Sequence, residues 1–261
     1  MVRSVIRGSK PEVEVALMIV SEDPVATADR AASMTSVGGF ELRPSGRKKI
    51  HDVYFDTVDG RLRRRRMNLR VREVDGEWFV TLKHSPGRFS WRRDERRETE
   101  LPWSQESLAS IFSQLRDKRF RGEVHFENFD PVEVLKTSGL DVLQDRETDR
   151  RQSNVLSGSE PSKTLAELDV DTVLYHFKHG DINLFELELE AKSEEGRRFL
   201  SVLTKALREE LGGDVRKWGW GKLATGRMIE RLVDRGVLAG HVEEGRLRPE
   251  AYDVVREALT S

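Results

Sequence analysis

The chain has 261 residues, of which 45 are Lys or Arg and 46 are Asp or Glu, so its formal net charge is −1 although 35% of its residues are charged. A balance this close to zero argues against a general binder of nucleic acids or anionic membranes, because such proteins carry a large basic excess. The chain has no cysteine, which excludes disulfides, thiolate nucleophiles and cysteine-ligated metal centres.

Capping residues and stop signals predict six helical segments. The first helix begins at Asp23-Pro24, the second covers 104–118, and the third begins at Asp130 and ends at Gly139. The last three cover 194–211, 223–235 and 249–259. Eight strands are predicted at 12–19, 49–55, 69–74, 77–83, 95–101, 146–155, 165–173 and 183–191. Short links between strands favour an antiparallel sheet with helices packed outside it, so the predicted fold class is α+β. We assign residues 1–235 to one domain and 236–261 to a C-terminal helical tail.

The clearest local pattern is a hairpin around Asp75-Gly76, a dipeptide typical of two-residue turns. This turn predicts the cross-strand pairs Asn68 with Lys83, Arg70 with Thr81, Arg72 with Phe79 and Val74 with Glu77. Because side chains alternate between the faces of a strand, Arg70, Arg72 and Lys83 share one face and the other face is apolar. The cationic face requires water or an anion.

Other strands carry carboxylates at every second position. The alternating carboxylates are Glu12 and Glu14, Glu98 and Glu100, Glu167 and Asp169, and Glu186, Glu188 and Glu190. Neighbouring carboxylates on one strand face lie only about 6.5–7 Å apart, so counter-charge must collect beside them. Any one such strand fits the solvated face of an amphipathic sheet, whereas several faces of a single sign favour a shared wet interior.

A closed sheet of about eight strands has an interior just wide enough for side chains or one small ligand. Carboxylates in such an interior can hold Mg²⁺ or Mn²⁺, which leave positions open for phosphate oxygens and water. Arginines donate to phosphate oxygens directly. The charge pattern therefore predicts a polyphosphate ligand in a shared interior, which a closed sheet of about eight strands would provide.

The same residues give the chain a resemblance to the CYTH superfamily, the triphosphate tunnel metalloenzymes, over about residues 12–230. The matching segments, in order, are Glu12-Val13-Glu14, Val53-Tyr54-Phe55-Asp56-Thr57, Leu69-Arg70-Val71-Arg72, Thr81-Leu82-Lys83, Arg97-Glu98-Thr99-Glu100, residues 146–151, Glu167-Leu168-Asp169, residues 186–190 and Lys222. Each segment alone is a weak match, but their order over most of the chain is specific. The resemblance implies an eight-stranded antiparallel tunnel, a divalent metal, and hydrolysis or transfer at a triphosphate.

Carried over by position, the resemblance also implies the site residues. The metal ligands would be Glu12, Glu14, Glu186 and Glu188, with Glu100, Asp169 and Glu190 nearby. The phosphate ligands would be Arg70, Arg72, Lys83, Arg150 and Lys222, with Arg150 chosen over Arg151 by strand parity. Lys83, Arg70 and Glu188 are the residues assigned to catalysis.

The expected ligands follow from the same features. We expect a small-molecule triphosphate substrate with Mg²⁺ or Mn²⁺ as cofactor, and neither nucleic acid nor membrane as a partner. No apolar run is long enough for a membrane span or a signal-peptide core, so a cytoplasmic protein is expected, as a monomer or homodimer.

One position departs from the family pattern. The opening motif normally reads Glu-x-Glu-x-Lys, and Ala16 stands here in place of the lysine. The leading hypothesis is a metal-dependent triphosphatase. Two alternatives stay open: an adenylate cyclase, in which the ribose hydroxyl attacks the α-phosphate, and a polyphosphate- or nucleotide-binding module without turnover.

Overall fold

The computed structural model describes residues 13–84, 97–115, 130–157 and 163–261. Its helices are α1 (Pro24–Ala32), α2 (Arg61–Arg64), α3 (Gln105–Leu115), α4 (Pro131–Thr137), α5 (Glu194–Leu211), α6 (Lys222–Asp234) and α7 (Ala251–Thr260). Its strands are β1 (Glu14–Ile19), β2 (Ser36–Val37), β3 (Phe40–Asp56), β4 (Met67–Val74), β5 (Glu77–His84), β6 (Arg97–Pro102), β7 (Asp141–Leu156), β8 (Thr164–Phe177), β9 (Gly180–Ala191), β10 (Val215–Trp218), β11 (Val242–Glu243) and β12 (Arg246–Leu247). The α+β class is confirmed.

The predicted helix starts are confirmed by their caps. The side chains of Asp23, Asp130 and Ser193 each accept a hydrogen bond from a backbone N–H in the first turn of α1, α4 and α5, at 3.0, 2.8 and 2.9 Å. These bonds satisfy donors that the start of a helix leaves without an intrahelical partner. Residues 116–118 of the second predicted helix and 95–96 of the fifth predicted strand lie outside the described residues.

Several strands are longer than predicted, and the earliest starts relative to the prediction are those of two of them. Strand β3 begins at Phe40 rather than at residue 49, and β7 begins at Asp141 rather than at residue 146. The additional part of β3 is largely exposed and contains Pro44 and Gly46, residues that usually mark the end of a strand. An exposed strand has no alternation of apolar and polar residues, so its sequence does not indicate it.

The predicted closed barrel of eight strands is wrong in strand number and in closure. All twelve strands belong to one sheet, whose main path runs β10-β1-β9-β8-β7-β3-β4-β5-β6 and ends at β10 and β6 in the described part of the chain. Strand β10, which was not predicted, pairs antiparallel with β1. Four residues are too few to show a hydrophobic period, which explains why the sequence does not indicate this strand.

The described chain divides into two compact units, one of residues 50–145 and the other of residues 13–49 and 146–261. In the first unit, β4 and β5 form the predicted hairpin, and all four predicted cross-strand pairs are confirmed. Asp75 and Gly76 have φ angles of 52° and 88°, the left-handed values that a type I′ turn requires. The apolar face of the hairpin, including Leu69 and Val80, packs on helices α3 and α4.

In the second unit, the apolar faces of β1, β8 and β9 pack against α1 and α5. The buried contacts include Leu17, Leu168 and Leu187 from the strands and Leu203 from α5. Because side chains alternate along each strand, the carboxylates of these three strands lie on the opposite face. The core therefore fixes which face of the sheet is acidic.

The residues after 235 pack within the second unit. Tyr252 and Val255 of α7 join Trp218 and Ile229 in a buried cluster, and β12 pairs parallel with β9. The domain boundary between 235 and 236 stays a prediction. Within the described part of the chain, no helix has the length and apolar character needed to cross a membrane.

Candidate functional site

The acidic face of the second unit is organised in three rows across β1, β9 and β8. In register, the rows are Glu14 with Glu190 and Glu167, Ala16 with Glu188 and Asp169, and Met18 with Glu186 and Asp171. Residues that oppose one another in antiparallel strands project to the same side of the sheet. Ala16 thus leaves the middle row without a charged member on β1.

Three carboxylates of these rows converge on one point. Asp171, Glu186 and Glu188, called here the carboxylate trio, each offer an oxygen within 4.8 Å of the other two. The Nζ atom of Lys222 lies 3.0 Å from Asp171 Oδ2 and 2.7 Å from Glu188 Oε1, and it also forms an ion pair with Glu186. Lys222 and two of the three acids are almost fully buried. Sequence-predicted residues from β9 and α6 therefore meet in one buried ionic cluster.

A second cation, Arg150 of β7, binds the same carboxylates. Its Nη2 atom donates to Asp171 Oδ2 and to Glu188 Oε2, both at 2.6 Å, and its Nε atom donates to Asp171 Oδ1 at 2.8 Å. Its Nη1 atom lies 2.6 Å from Asp169 Oδ2. The neighbouring Arg151 instead donates to Asp29 on α1. Arg150 is thus the member of this pair that lies on the acidic face.

Burial and charge separate the pKa values of these acids. Burial raises the pKa of Asp169 to about 6 and that of Glu186 to about 7, although Arg150 and Lys222 respectively oppose the shift. Burial acts in the same direction on Glu188, but the attraction of Lys222 and Arg150 outweighs it and lowers the pKa of Glu188 to about 2. Burial therefore favours the protonated forms of Asp169 and Glu186, whereas the adjacent cations keep Glu188 ionised.

These pKa values predict a stability profile for the metal-free protein. Asp169 and Glu186 release protons at higher pH in the folded chain than in the unfolded chain, so the folded state binds more protons between pH 5 and 7. We expect the free energy of unfolding to fall by on the order of 2 kcal/mol over this range, measured by urea denaturation in EDTA. Glu186→Gln should flatten the profile. A flat profile in the unsubstituted protein would contradict the burial of these charges.

The first row is more open than the trio. Lys192 joins two of its members, with Nζ 2.9 Å from Glu167 Oε1 and 2.7 Å from Glu190 Oε2. Glu14 is exposed. Glu12, the other predicted metal ligand at the start of the chain, lies outside the described residues.

Helix α6 is anchored so that Lys222 reaches the trio. The hydroxyl of Tyr175 donates to the backbone oxygen of Lys222 at 3.0 Å. One turn further along α6, Thr225 Oγ1 accepts a hydrogen bond at 2.8 Å from the indole Nε1 of Trp218. Trp218 lies opposite Ala16 in the pairing of β10 with β1. The start of α6 is therefore attached to two strands of the sheet that carries the acids.

The predicted phosphate ligands of the first unit form a separate cluster on the cationic face of the hairpin. Arg70 is only 5% exposed and donates to Tyr54 Oη at 3.2 Å and to Glu100 Oε2 at 3.4 Å. Arg72 donates through Nε and Nη2 to both oxygens of Asp52, at 2.7 and 2.9 Å. The two arginines are thus held in fixed orientations by acids and a phenol from β3 and β6.

Lys83 completes the cationic face. Its Nζ atom lies 3.0 Å from Glu98 Oε2, and Glu98 Oε1 lies 3.6 Å from Arg70 Nη2. Glu100, which the resemblance places near the metal, instead accepts a hydrogen bond from Thr81 Oγ1 at 2.9 Å as well as the bond from Arg70. Glu98 and Glu100 therefore balance the hairpin cations in this unit.

Asp56, within the Tyr-Phe-Asp-Thr segment, has a structural role. Its buried carboxylate accepts hydrogen bonds from the backbone N–H groups of Thr57, Leu62 and Arg63 at 2.8, 2.8 and 3.2 Å. It thereby fixes the turn that leads from β3 into α2. The contribution of this segment to the cationic face comes from Tyr54, whose hydroxyl accepts the hydrogen bond from Arg70.

Sequence analysis missed two acids that the structure brings into these clusters. Asp171 continues the alternation of Glu167 and Asp169 along β8, so extending the period by two residues would have found it. Asp52 lies opposite Arg72 in the pairing of β3 with β4. Its signal is weaker, because neither of the alternating positions on its strand, 50 and 54, is acidic.

The carboxylate trio fits a divalent cation by the chemistry of its donors. Carboxylate oxygens are the protein ligands that Mg²⁺ and Mn²⁺ prefer. Burial makes the charged form of Glu186 costly, and a divalent ion beside its oxygens would offset that cost. Asp171, Glu186 and Glu188 are therefore the described residues best placed to hold such an ion.

The protein is an α+β protein with rows of carboxylates in one unit and clustered arginines in the other. The carboxylates can bind cations and the arginines can bind anions. The CYTH domain model matches residues 23–216 of the chain. The chain therefore belongs to the CYTH family, which confirms the resemblance. Glu14 and Lys222 lie outside the matched segment.

Comparison with solved structures finds similar proteins. A Hippeastrum protein, described as an adenylyl cyclase with a dominant triphosphatase activity, has a TM-score of 0.50 at 19% identity, over 83% of this chain and 95% of that chain. A candidate adenylate cyclase from Bacillus halodurans has a TM-score of 0.46 at 18% identity, over 81% of this chain and 95% of that chain. No curated protein matches the sequence. At these identities the likeness concerns the fold alone.

Proposed function

We propose that the protein is a metal-dependent triphosphatase that hydrolyses a phosphoanhydride bond of tripolyphosphate or of a compact organic triphosphate. The observation that carries this proposal is the buried carboxylate trio within a CYTH domain. Three converging carboxylates, bound by Arg150 and Lys222, suit a divalent ion that accompanies a phosphate. The Hippeastrum protein, with its dominant triphosphatase activity, supports this class of reaction.

In this proposal the carboxylates of the chain bind the metal ion and its arginines bind the phosphate. A bound Mg²⁺ or Mn²⁺ supplies neutralisation of phosphate charge and a water of lowered pKa. Asp171, Glu186 and Glu188 would hold the ion. Arg70 and Arg72, already oriented by acids and Tyr54, would donate to phosphate oxygens and stabilise charge on the transferring group. Glu188 is ionised throughout the neutral range, so it would accept a hydrogen bond and orient the donor rather than deliver a proton.

A product assay tests the proposed function. Purified protein is incubated with tripolyphosphate, ATP or thiamine triphosphate and with Mg²⁺ or Mn²⁺, and released phosphate is measured. We expect orthophosphate release that requires the metal and stops in EDTA. Absence of phosphate release from all three substrates with both metals would contradict the proposal.

An adenylate cyclase is the second candidate, since the Hippeastrum protein is described as a candidate adenylyl cyclase. In a cyclase the ribose hydroxyl attacks the α-phosphate of ATP. Cyclic AMP with pyrophosphate would therefore replace orthophosphate as the product. The same incubation with ATP separates the two reactions.

Ala16 supports a third reading, in which the chain binds polyphosphate or a nucleotide without turnover. The middle row has no charged residue on β1 at this position. A binder would show a rise in melting temperature with tripolyphosphate and no released phosphate. If Ala16→Lys then produced phosphate release, the unsubstituted chain would be a binder.

A further inference from the structure

The ammonium of Lys222 lies at the position that a divalent cation would require. Its Nζ atom forms ion pairs with Asp171, Glu186 and Glu188, which are the same three residues whose oxygens converge. Arg150 binds two members of the trio from β7, through both oxygens of Asp171 and through Glu188 Oε2. The oxygen of Glu188 that faces Lys222 is Oε1, at 2.7 Å.

A metal ion and this ammonium exclude each other. Mg²⁺ requires oxygens at about 2.0–2.1 Å, so an ion held by the trio would share the space that Nζ now fills. Two positive charges a few ångströms apart in a buried site repel strongly. Binding of the ion therefore requires Nζ to move. Arg150 approaches from another strand and shares only Asp171 Oδ2 with Lys222, while it also donates to Asp171 Oδ1 and Glu188 Oε2.

The backbone of Lys222 is fixed, whereas its side chain can move. The backbone of Lys222 is held by Tyr175, and α6 is held by the bond between Trp218 and Thr225. The lysine side chain itself is a flexible four-carbon stem with a single charged atom. Withdrawal of Nζ thus needs rotation about side-chain bonds and no movement of the helix.

We propose that Lys222 is a tethered cation that occupies the carboxylate trio in the metal-free chain and is displaced when a divalent cation binds. The released ammonium is then available to a phosphate oxygen, so metal binding and phosphate binding are coupled through one side chain. This inference rests on the proposed function for its metal site. It also gives Lys222 two partners in succession, the carboxylates first and the phosphate second.

Direct titration with Mn²⁺, without nucleotide, tests the displacement. Free Mn²⁺ is followed by electron paramagnetic resonance in the unsubstituted protein, in Lys222→Met and in Lys205→Met. Lys205 is an exposed lysine of α5 paired with Glu209, so its substitution removes the same charge far from the trio. We expect Lys222→Met to bind Mn²⁺ at least about tenfold more tightly than both other proteins. Equal or weaker binding by a folded Lys222→Met would overturn the proposal.

A second measurement uses the unsubstituted protein and does not depend on the folding of a variant. Lysine amines are acetylated briefly with and without Mn²⁺, and the modified sites are quantified by mass spectrometry. The side chain of Lys222 is 9% exposed and that of Lys205 is 77% exposed, so Lys205 serves as the internal reference. We expect Mn²⁺ to increase the labelling of Lys222 relative to Lys205. Unchanged or decreased relative labelling at saturating Mn²⁺ would overturn the displacement.

Failure of this inference can be distinguished from failure of the proposed function. Mn²⁺ binding and lysine labelling are measured without substrate, so they report on displacement alone. A protein that released phosphate but showed no effect of Lys222→Met on Mn²⁺ affinity would retain its function and lose this inference. A protein that released no phosphate but showed tighter Mn²⁺ binding would retain the inference as a property of a metal-binding module.

Discussion

Glu188→Gln is expected to abolish metal-dependent phosphate release, lowering kcat by at least about 100-fold at saturating Mg²⁺. Each carboxylate oxygen of Glu188 is engaged by a different cation, with Arg150 at 2.6 Å and Lys222 at 2.7 Å. An amide keeps one acceptor, presents an NH₂ group to one of these cations, and removes the charge that a metal ion requires. Initial rates across a range of Mg²⁺ and Mn²⁺ concentrations measure the effect.

The substitution should leave the protein folded. Loss of the carboxylate weakens two ion pairs but also relieves repulsion on Asp171 and Glu186, so we expect a cost of about 1–3 kcal/mol in the free energy of unfolding. Glu209→Gln is the matched control, because Glu209 is an exposed acid of α5 paired with Lys205. It should change neither rate nor stability. A folded Glu188→Gln with normal metal-dependent turnover would remove Glu188 from the metal ligands.

The alternation of charged and apolar side chains predicts which strand faces are cationic and which are acidic, although it missed Asp52 and Asp171 within the two clusters. The Asp75-Gly76 turn fixed the register of β4 against β5, and this register determines which side chains accompany Arg70. The acidic strands were predicted in the same way, since a period of two places Glu186 and Glu188 on one face. The period of two can be recognised in the sequence because each of these strands has one buried apolar face.

The pairing of cations with acids from distant parts of the chain could not be predicted. Lys222 meets Asp171 across 51 positions of sequence, and Arg72 meets Asp52 through the pairing of β3 with β4. Such partners depend on which strands are neighbours, and strand order is a property of the whole sheet rather than of a local pattern. Strand β10 and the exposed part of β3 escaped prediction for the related reason that neither shows an apolar period.

Arg70→Ala is expected to raise KM for tripolyphosphate by at least about tenfold and to lower kcat by about 100-fold. Arg70 is buried among Tyr54, Asp52, Glu98 and Glu100, and its guanidinium is the most enclosed positive group on the hairpin. A donor oriented in this way loses little entropy when it binds a phosphate oxygen. Removing it leaves a short apolar side chain that offers no hydrogen bond.

The acids around Arg70 each keep another donor, which makes this substitution a test of phosphate binding rather than of folding. Asp52 retains its two bonds from Arg72, Glu98 retains Lys83, and Glu100 retains Thr81. We therefore expect a loss of only about 2–3 kcal/mol in unfolding free energy, read from urea denaturation. Arg70→Lys keeps the charge without the planar fork and should give intermediate kinetics.

An exposed arginine provides the matched control for the loss of one positive charge. Arg43 on β3 pairs with Glu41 at 2.8 Å and its side chain is 55% exposed, so Arg43→Ala should leave KM, kcat and stability unchanged. A defect in Arg70→Ala that is absent from Arg43→Ala then reflects the position of the charge and not the total charge of the chain. Unchanged kinetics in a folded Arg70→Ala would instead show that the hairpin cations serve to balance Asp52, Glu98 and Glu100, and that the phosphate is bound by Arg150 and Lys222 in the other unit.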